Sequence, residues 1–224
     1  MTDDDKRLAA EAAVAEVRPG MLVGLGTGST AAFAIAAIGA LVARGLEIDA
    51  VATSRASEKL AEKYGISLLD FEDVAAVDLA IDGADEIDPR CRAIKGAGGA
   101  MLREKIVASA AKRMIVIADG SKRVAALGRA PVPLEVLPFA RSFVTAGLKA
   151  LGGNPVLRKA GGDPYLTDQH NIVIDCAFAD LADPDGLALA LSAIPGVLGH
   201  GLFVSEVDAA YVAQDGRIER LERN

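Results

Sequence analysis

The feature that most constrains this chain is an aliphatic run that ends in a cluster of acids. Val77 to Ile81 is apolar except for Asp78. It reads as a strand buried on both faces of a parallel sheet. Four acids, Asp82, Asp85, Glu86 and Asp88, follow around Gly83. In open α/β sheets the carboxyl ends of buried strands border the ligand crevice. Ten residues after Asp85 comes a second polar loop, Lys95-Gly96-Ala97-Gly98-Gly99. It opens a helix over about 99–112 that carries Glu104.

The flanking sequence repeats the same rhythm. Residues 3–17 form an amphipathic helix, with Asp3 to Asp5 favourably placed at its positive end. A strand at 21–25 runs into Gly24-Leu25-Gly26-Thr27-Gly28-Ser29-Thr30 and a helix to about Ala43. A strand at 48–52, a helix to Tyr64 and a short strand at 66–69 follow. This β-α-β-α-β order is the doubly wound signature. A short strand at 92–94 leads back to the lysine loop. The strand at 114–118 ends in Asp119-Gly120-Ser121-Lys122. Aromatic residues are only 4% against 51% hydrophobic, so Ala, Val, Leu and Ile must build the core.

Near Ala130-Pro131-Val132-Pro133 the rhythm changes. The chain then reads strand 134–137, helix 141–151, strand 155–158, strand 171–176, helix 184–194 and strand 197–203. Asp168 to Asn171 is the expected turn between the two middle strands. That order is β-α-β-β-α-β, the ferredoxin-like split unit. Asp215-Gly216 marks a final hairpin, expected to return to the first domain. The predicted fold class is α/β. A Rossmann-like doubly wound domain (1–130 and 206–224) carries an inserted ferredoxin-like α+β domain (131–205).

Net charge is −7, and no basic stripe is available for nucleic acid. The global field repels anions, so an anionic ligand needs local donors. No apolar run is long enough for a membrane span. The acidic N-terminus lacks the order of a signal peptide, which points to the cytoplasm. Cys91 and Cys176 lie far apart and read as free thiols in a reducing compartment. His170 and His200 read as structural or exposed. A transition-metal site is not expected, although an oxygen-only Mg²⁺ site at the acidic loop stays open.

The candidate residues follow from their chemistry. The first loop joins a strand to a helix N-terminus, where backbone N–H groups and the hydroxyls of Ser29 and Thr30 suit a phosphate. It lacks a Walker lysine and a complete dinucleotide fingerprint. Alternatively it is a tight turn with a Ser/Thr cap. Asp82 and Asp85 can both point into one crevice and suit proton transfer between oxygens. Glu86 and Asp88 read as a solvated acidic turn. Lys95 and its glycines can bring an ammonium and amides to a developing oxyanion. Lys122 is a candidate anion ligand. Glu104 alone reads most simply as an exposed helix charge.

As a set these motifs resemble the ribose-5-phosphate isomerase A family. The resemblance rests on the four loops quoted above, the last three as Asp82 to Ile87, Lys95 to Lys105 and Asp119 to Lys122. It extends to Glu135-Val136, Ile194 to Val197 and Gly201 to Phe203. It implies interconversion of ribose 5-phosphate and ribulose 5-phosphate through an enediol(ate), without metal or cofactor, in the non-oxidative pentose phosphate pathway. It implies Glu104 as the base between C2 and C1, and Lys95 with the amides of Gly96, Ala97 and Gly98 around the oxyanion. Asp82 would carry a proton between O1 and O2, and Asp85 would hold hydroxyls or assist ring opening. Thr27, Gly28, Ser29 and Thr30, with Lys6 and Lys122, would take the phosphate or nearby hydroxyls, beside Gly83 and Ala84. A homodimer or tetramer is also implied. Met101 replaces the usual Leu, and His170 stands where a Gly is expected in the Thr167-Asp168 turn. Two other readings compete. A sugar-phosphate sensor would need a DNA-binding module, and a coenzyme A transferase would leave Asp82, Asp85 and Lys95 without work.

Overall fold

The computed structural model describes residues 3–179 and 181–223. Its first half runs α1 (Asp3–Val14), β1 (Leu22–Leu25), α2 (Ser29–Val42), β2 (Asp49–Ala52), α3 (Arg55–Lys63), β3 (Ser67–Leu68) and β4 (Leu79–Gly83). Then come β5 (Glu86–Ile87), β6 (Ala93–Ile94), α4 (Met101–Ala110) and β7 (Met114–Asp119). The next stretch is β8 (Val132–Val136), α5 (Arg141–Ala150), β9 (Gly153–Leu157), β10 (Lys159–Ala160), β11 (Asp163–Pro164), β12 (Ile172–Phe178) and α6 (Pro184–Ser192). The chain closes with β13 (Val197–His200), β14 (Leu202–Phe203), β15 (Ala209–Gln214) and β16 (Arg217–Glu222).

Seven strands form the main sheet in the order β3-β2-β1-β4-β7-β15-β16. All neighbours are parallel except β15 and β16. The strand order reverses between β1 and β4, so a crevice opens at their carboxyl ends. The alternation of side chains along these strands builds two core layers. Ile81 and Ile117 pack with Ala9 and Ala13 of α1 and Ile35 and Ile38 of α2. Ala80 and Val116 pack with Val107 and Ala108 of α4 and with Phe203. Small alanines let helix backbones approach the sheet, and each fully buried Ile contributes about 1.5–3 kcal/mol.

A second, four-stranded antiparallel sheet runs β13-β8-β12-β9. Val144 and Leu148 of α5 and Ala188 and Leu191 of α6 cover Val132, Leu134, Val136 and Ile174. The β15–β16 hairpin joins the main sheet through β7, as expected. A third sheet, β14-β6-β5, was not anticipated. The strand expected over 197–203 breaks at Gly201. Gly201 N–H donates to Pro133 O (2.7 Å) and Gly201 O accepts from Lys95 N–H (2.9 Å). A Cβ there would lie 2.1 Å from Lys95 O. Only glycine permits that approach, and it swings Leu202 and Phe203 over to β6.

Three expectations need correction. The first helix stops at Val14, short of residue 17. A small hairpin, β10–β11, is added between the two middle strands. Glu86 and Asp88 are not a solvated turn, for both are buried. Glu86 accepts from Gly128 N–H (2.8 Å) and Ala130 N–H (2.6 Å). Asp88 accepts from Arg90 N–H, Arg92 N–H and Arg92 Nε.

His170 keeps the turn geometry at a cost. Its φ is +62°, and its N–H donates to Thr167 O at 2.9 Å. A side chain in that conformation costs about 1–2 kcal/mol, and His170 is exposed, so little packing offsets the strain. His170→Gly should raise stability by about 1 kcal/mol in urea unfolding; an unchanged or lower midpoint refutes this account.

Candidate active site

Three loops meet at the carboxyl edge of β1, β4 and β6. The first leaves β1 through Gly26, where a Cβ would fall 2.1 Å from Asp82 Oδ1. That closeness lets Thr27 N–H donate to Asp82 Oδ1 at 2.9 Å. Helix α2 then starts at Gly28 (φ +109°) without a side-chain cap. Its first amides are left for a ligand. Thr27 Oγ1 is already engaged, 2.8 Å from both Thr53 Oγ1 and Ser54 Oγ. What Thr27 offers the crevice is its backbone and methyl group.

The second loop leaves β4. Asp82 is buried, and its Oδ1 also accepts from Gly83 N–H at 2.7 Å. The third loop begins at Lys95, only 2% exposed. Lys95 Nζ lies 2.9 Å from Asp82 Oδ2 and 3.3 Å from Glu104 Oε2, and it donates to Gly83 O. Glu104, 4% exposed, projects inward from α4. It is not the solvent charge that its helix position alone implied. Its Oε2 has no aligned hydrogen bond among the described residues. Lys95, 3.3 Å away, is the charge neighbour of that oxygen. Asp85 Oδ2 accepts from Ala97 N–H at 2.9 Å.

These groups surround a cavity of about 250 Å³. Thr27, Gly28, Ser29 and Thr30 line one wall and Gly83, Ala84 and Asp85 the next. Lys95, Gly96, Ala97 and Gly98 form the third, with Glu104 and Lys122 completing the lining. Asp82 sits beneath Lys95 and does not line it. Lys6 is not part of the lining either; its Nζ is 3.5 Å from Asp3 Oδ1. A larger groove of about 700 Å³ is bounded on one side by Leu102, Arg103 and Ile106 of α4. It has no lysine and no glycine loop, so chemistry rather than size assigns the site to the smaller cavity. Among the described residues no three His, Cys, Asp or Glu side chains converge as a metal site.

Charge accounting sets the protonation behaviour. Burial pushes the Glu104 carboxyl up, the Asp82 charge pushes it further, and Lys95 only partly offsets both, leaving its pKa at about 8. For Lys95 burial acts downward, but the Asp82 and Glu104 carboxylates outweigh it and hold the ammonium above its usual value. The crevice thus has a carboxylate poised near neutrality beside a permanent cation.

Several partners were missed in sequence. Thr53, Ser54 and Ser57 form a buried hydroxyl cluster behind Thr27. Thr53 directly follows β2, and that position at a strand's carboxyl end was a usable signal. Arg158 and Tyr165 contact the backbone of the lysine loop, and nothing local in the sequence marks them.

Fold and crevice together define an α/β enzyme equipped for acid–base chemistry on a small anionic molecule. The sequence profile of Ribose 5-phosphate isomerase A (phosphoriboisomerase A) matches residues 49–217. Ribose-5-phosphate isomerase A of Sphingopyxis alaskensis is 54% identical over 96% of this chain and 94% of its own. The ribose 5-phosphate isomerase A structure from Methanocaldococcus jannaschii superposes with a TM-score of 0.94 at 36% identity, over 99% of this chain and 100% of that one. A D-ribose-5-phosphate isomerase structure in complex with phospho-erythronic acid gives 0.96 at 36% identity over 100% of both chains. The chain belongs to the ribose 5-phosphate isomerase A family.

A raised carboxyl pKa has a sign for stability. The folded state holds the Glu104 proton more tightly than the unfolded chain does. That contribution is fully present below about pH 4.5 and is lost as pH rises through about 8. Wild type should therefore lose stability relative to Glu104→Gln between pH 5 and pH 9. Thermal unfolding at both pH values checks this, and a pH-independent difference contradicts it.

Proposed function

We propose that this chain interconverts D-ribose 5-phosphate and D-ribulose 5-phosphate by general acid–base catalysis through an enediol(ate), with no metal or cofactor taking part. The observation that carries the reading is the placement of Glu104. It lies against Lys95 in the lining of a cavity that the uncapped start of α2 also borders. Glu104 removes the proton from C2 and returns it to C1. One base serves both carbons because they are adjacent. A carboxylate with a pKa near 8 is a far stronger base than an ordinary one, and burial is the main cause of that strength.

Lys95 and the amides of Gly96 and Gly98 hold the oxyanion as it moves from O1 to O2, while the Ala97 N–H is committed to Asp85 Oδ2. Sequence assigned the O1–O2 proton to Asp82. The burial of Asp82 under Lys95 favours a different division. Asp82 anchors the ammonium, and Asp85, which lines the cavity, meets the substrate hydroxyls and assists ring opening. The free amides after Gly28, the hydroxyls of Ser29 and Thr30, and Lys122 take the phosphate. Lys6, near Asp3 and outside the cavity lining, is left out of the phosphate site.

We also propose the division into a Rossmann-like domain (1–130 and 206–224) and an inserted ferredoxin-like domain (131–205). Counted within the insert, the strand order β13-β8-β12-β9 reads 4-1-3-2, which supports it. A homodimer or tetramer is consistent with Phe139 (97% exposed) and Phe143 (62% exposed) on that unit. A cytoplasmic setting completes the reading.

The purified chain should convert ribose 5-phosphate to ribulose 5-phosphate in the presence of EDTA. Glu104→Gln should bind the sugar phosphate within a few-fold of wild type and lose roughly 10²–10⁴ in turnover. Binding without turnover in the wild-type chain would overturn the isomerase reading in favour of a sensor. In the wild type, kcat/KM should climb with pH and level off above about pH 8; a flat profile from pH 6 to 9 would remove Glu104 as the base.

A further inference from the structure

Three consecutive carbonyls of the lysine loop are held from the second sheet. Arg158, between β9 and β10, donates from Nη1 to Gly96 O at 3.1 Å and to Ala97 O at 3.0 Å. Its other edge grips Asp175 of β12, with Nε 2.9 Å from Oδ2 and Nη2 bonded to Oδ1. Tyr165 Oη donates to Gly98 O at 3.1 Å, and the Arg158 guanidinium stands 5.7 Å from the Tyr165 ring centre. The side chains of Arg158 and Asp175 are 16% and 24% exposed, so the pair is largely shielded from water.

Peptide planarity turns this clamp into a statement about the crevice. In a trans peptide the C=O of one residue and the N–H of the next point in opposite directions. Fixing the carbonyls of Gly96 and Ala97 toward Arg158 therefore turns the N–H groups of Ala97 and Gly98 the other way. The Ala97 N–H does point that way, onto Asp85 Oδ2. The Gly98 N–H meets no acceptor among the described residues, and Gly98 lines the cavity. Gly96 sits at φ +102°, a conformation open to glycine, and the loop's own Gly99 N–H also donates to Gly96 O at 2.9 Å.

We propose that Arg158, braced by Asp175, is a positioning residue for the reaction. It locks the two peptide planes that carry the Ala97 and Gly98 amides, keeping Ala97 N–H on Asp85 and turning the free Gly98 N–H toward the charge that develops on the substrate oxygen. This rests on the isomerase reading above. The guanidinium also polarises both peptides, because a cation on the carbonyl side makes the amide on the far side a better donor. Arg158 touches no reacting atom and acts only through the loop.

The test uses Arg158→Gln, Arg158→Lys and Asp175→Asn in the full chain. Arg158→Gln should lower kcat about 10- to 100-fold, with KM within about threefold, a size comparable to losing an oxyanion donor. Affinity for phospho-erythronate, whose carboxylate presents an oxyanion to the loop, should fall by a similar factor. Affinity for inorganic phosphate, which needs only the α2 start and Lys122, should not change. Arg158→Lys should recover part of kcat, because one donor to the carbonyls remains. Asp175→Asn, with the arginine free to swing, should lose about 3- to 10-fold. A folded Arg158→Gln variant with wild-type kcat overturns the proposal. So does a loss in which phosphate and phospho-erythronate affinities fall together with the melting temperature, since a merely structural bridge behaves that way. If Arg158→Gln does not fold, Asp175→Asn decides by the same two affinities. If the wild type fails to isomerise, the isomerase reading fails. The selective loss of phospho-erythronate over phosphate then still reports on the loop.

Discussion

One ammonium buried between two carboxylates governs this structure. Lys95 is almost wholly removed from water, with Asp82 at 2.9 Å and Glu104 at 3.3 Å. Desolvating such an ion costs several kcal/mol unless partners replace the lost water. Asp82 and Gly83 O supply that replacement. Phe203 adds a ring centre 5.5 Å from Nζ. Two carboxylates and one cation leave a net negative charge in a dry place. The site relieves it by holding a proton on Glu104, since Asp82 Oδ1 already accepts from the Thr27 and Gly83 amides. A stronger base is the direct result of that mismatch.

The same accounting explains how an acidic protein can hold an anion. The whole chain carries −7, so attraction must come from a few local donors. The start of α2 provides some of them, bordering the cavity, and the loop before α4 brings Lys95 and Gly98. Helix α2 begins at Gly28 and α4 at Ala100, and neither has a side-chain cap. A Ser or Asp cap would stabilise each helix by about 1 kcal/mol, and it would also occupy the amides a ligand needs. By contrast α3, which does not face the cavity, has a reciprocal cap between Ser54 and Ser57. At α2, whose first residues line the cavity, helix stability is thus given up where a ligand completes the cap.

Sequence reading was strong where chemistry and backbone type coincide, and weak where partners come from far along the chain. The strand ends at Asp82 and Asp119 and the glycine loops were legible because aliphatic runs and glycines are local signals. The burial of Glu86 was not, because its donors, the Gly128 and Ala130 amides, lie more than forty residues away. Arg158 was invisible for the same reason, since its carbonyl partners are about sixty residues upstream. Glu104 is the instructive case. A Glu between Arg103 and Lys105 looks like a surface charge, and only the packing of Val107 and Ala108 against the sheet turns it inward. The local signal was helical spacing, for Met101, Glu104, Val107 and Ala108 share the buried face of α4.

How firmly Glu104 is placed depends on its neighbour. Lys105 reaches the other way and binds Glu206 at 2.6 Å and Leu202 O, with its Nζ 4.1 Å from the Phe203 ring centre. Burial lowers its pKa, and Glu206 works against that. Adjacent residues on α4 thus anchor to two structures. Glu104 meets the ammonium of the lysine loop, and Lys105 meets the strand that follows Gly201. That strand also pairs with β6, which leads directly into Lys95. Helix, strand and loop form a closed circuit, so α4 cannot rotate without breaking an ion pair on one side or the other. The base role proposed for Glu104 needs that restraint, because a small turn of the helix would carry its carboxylate past two adjacent carbons.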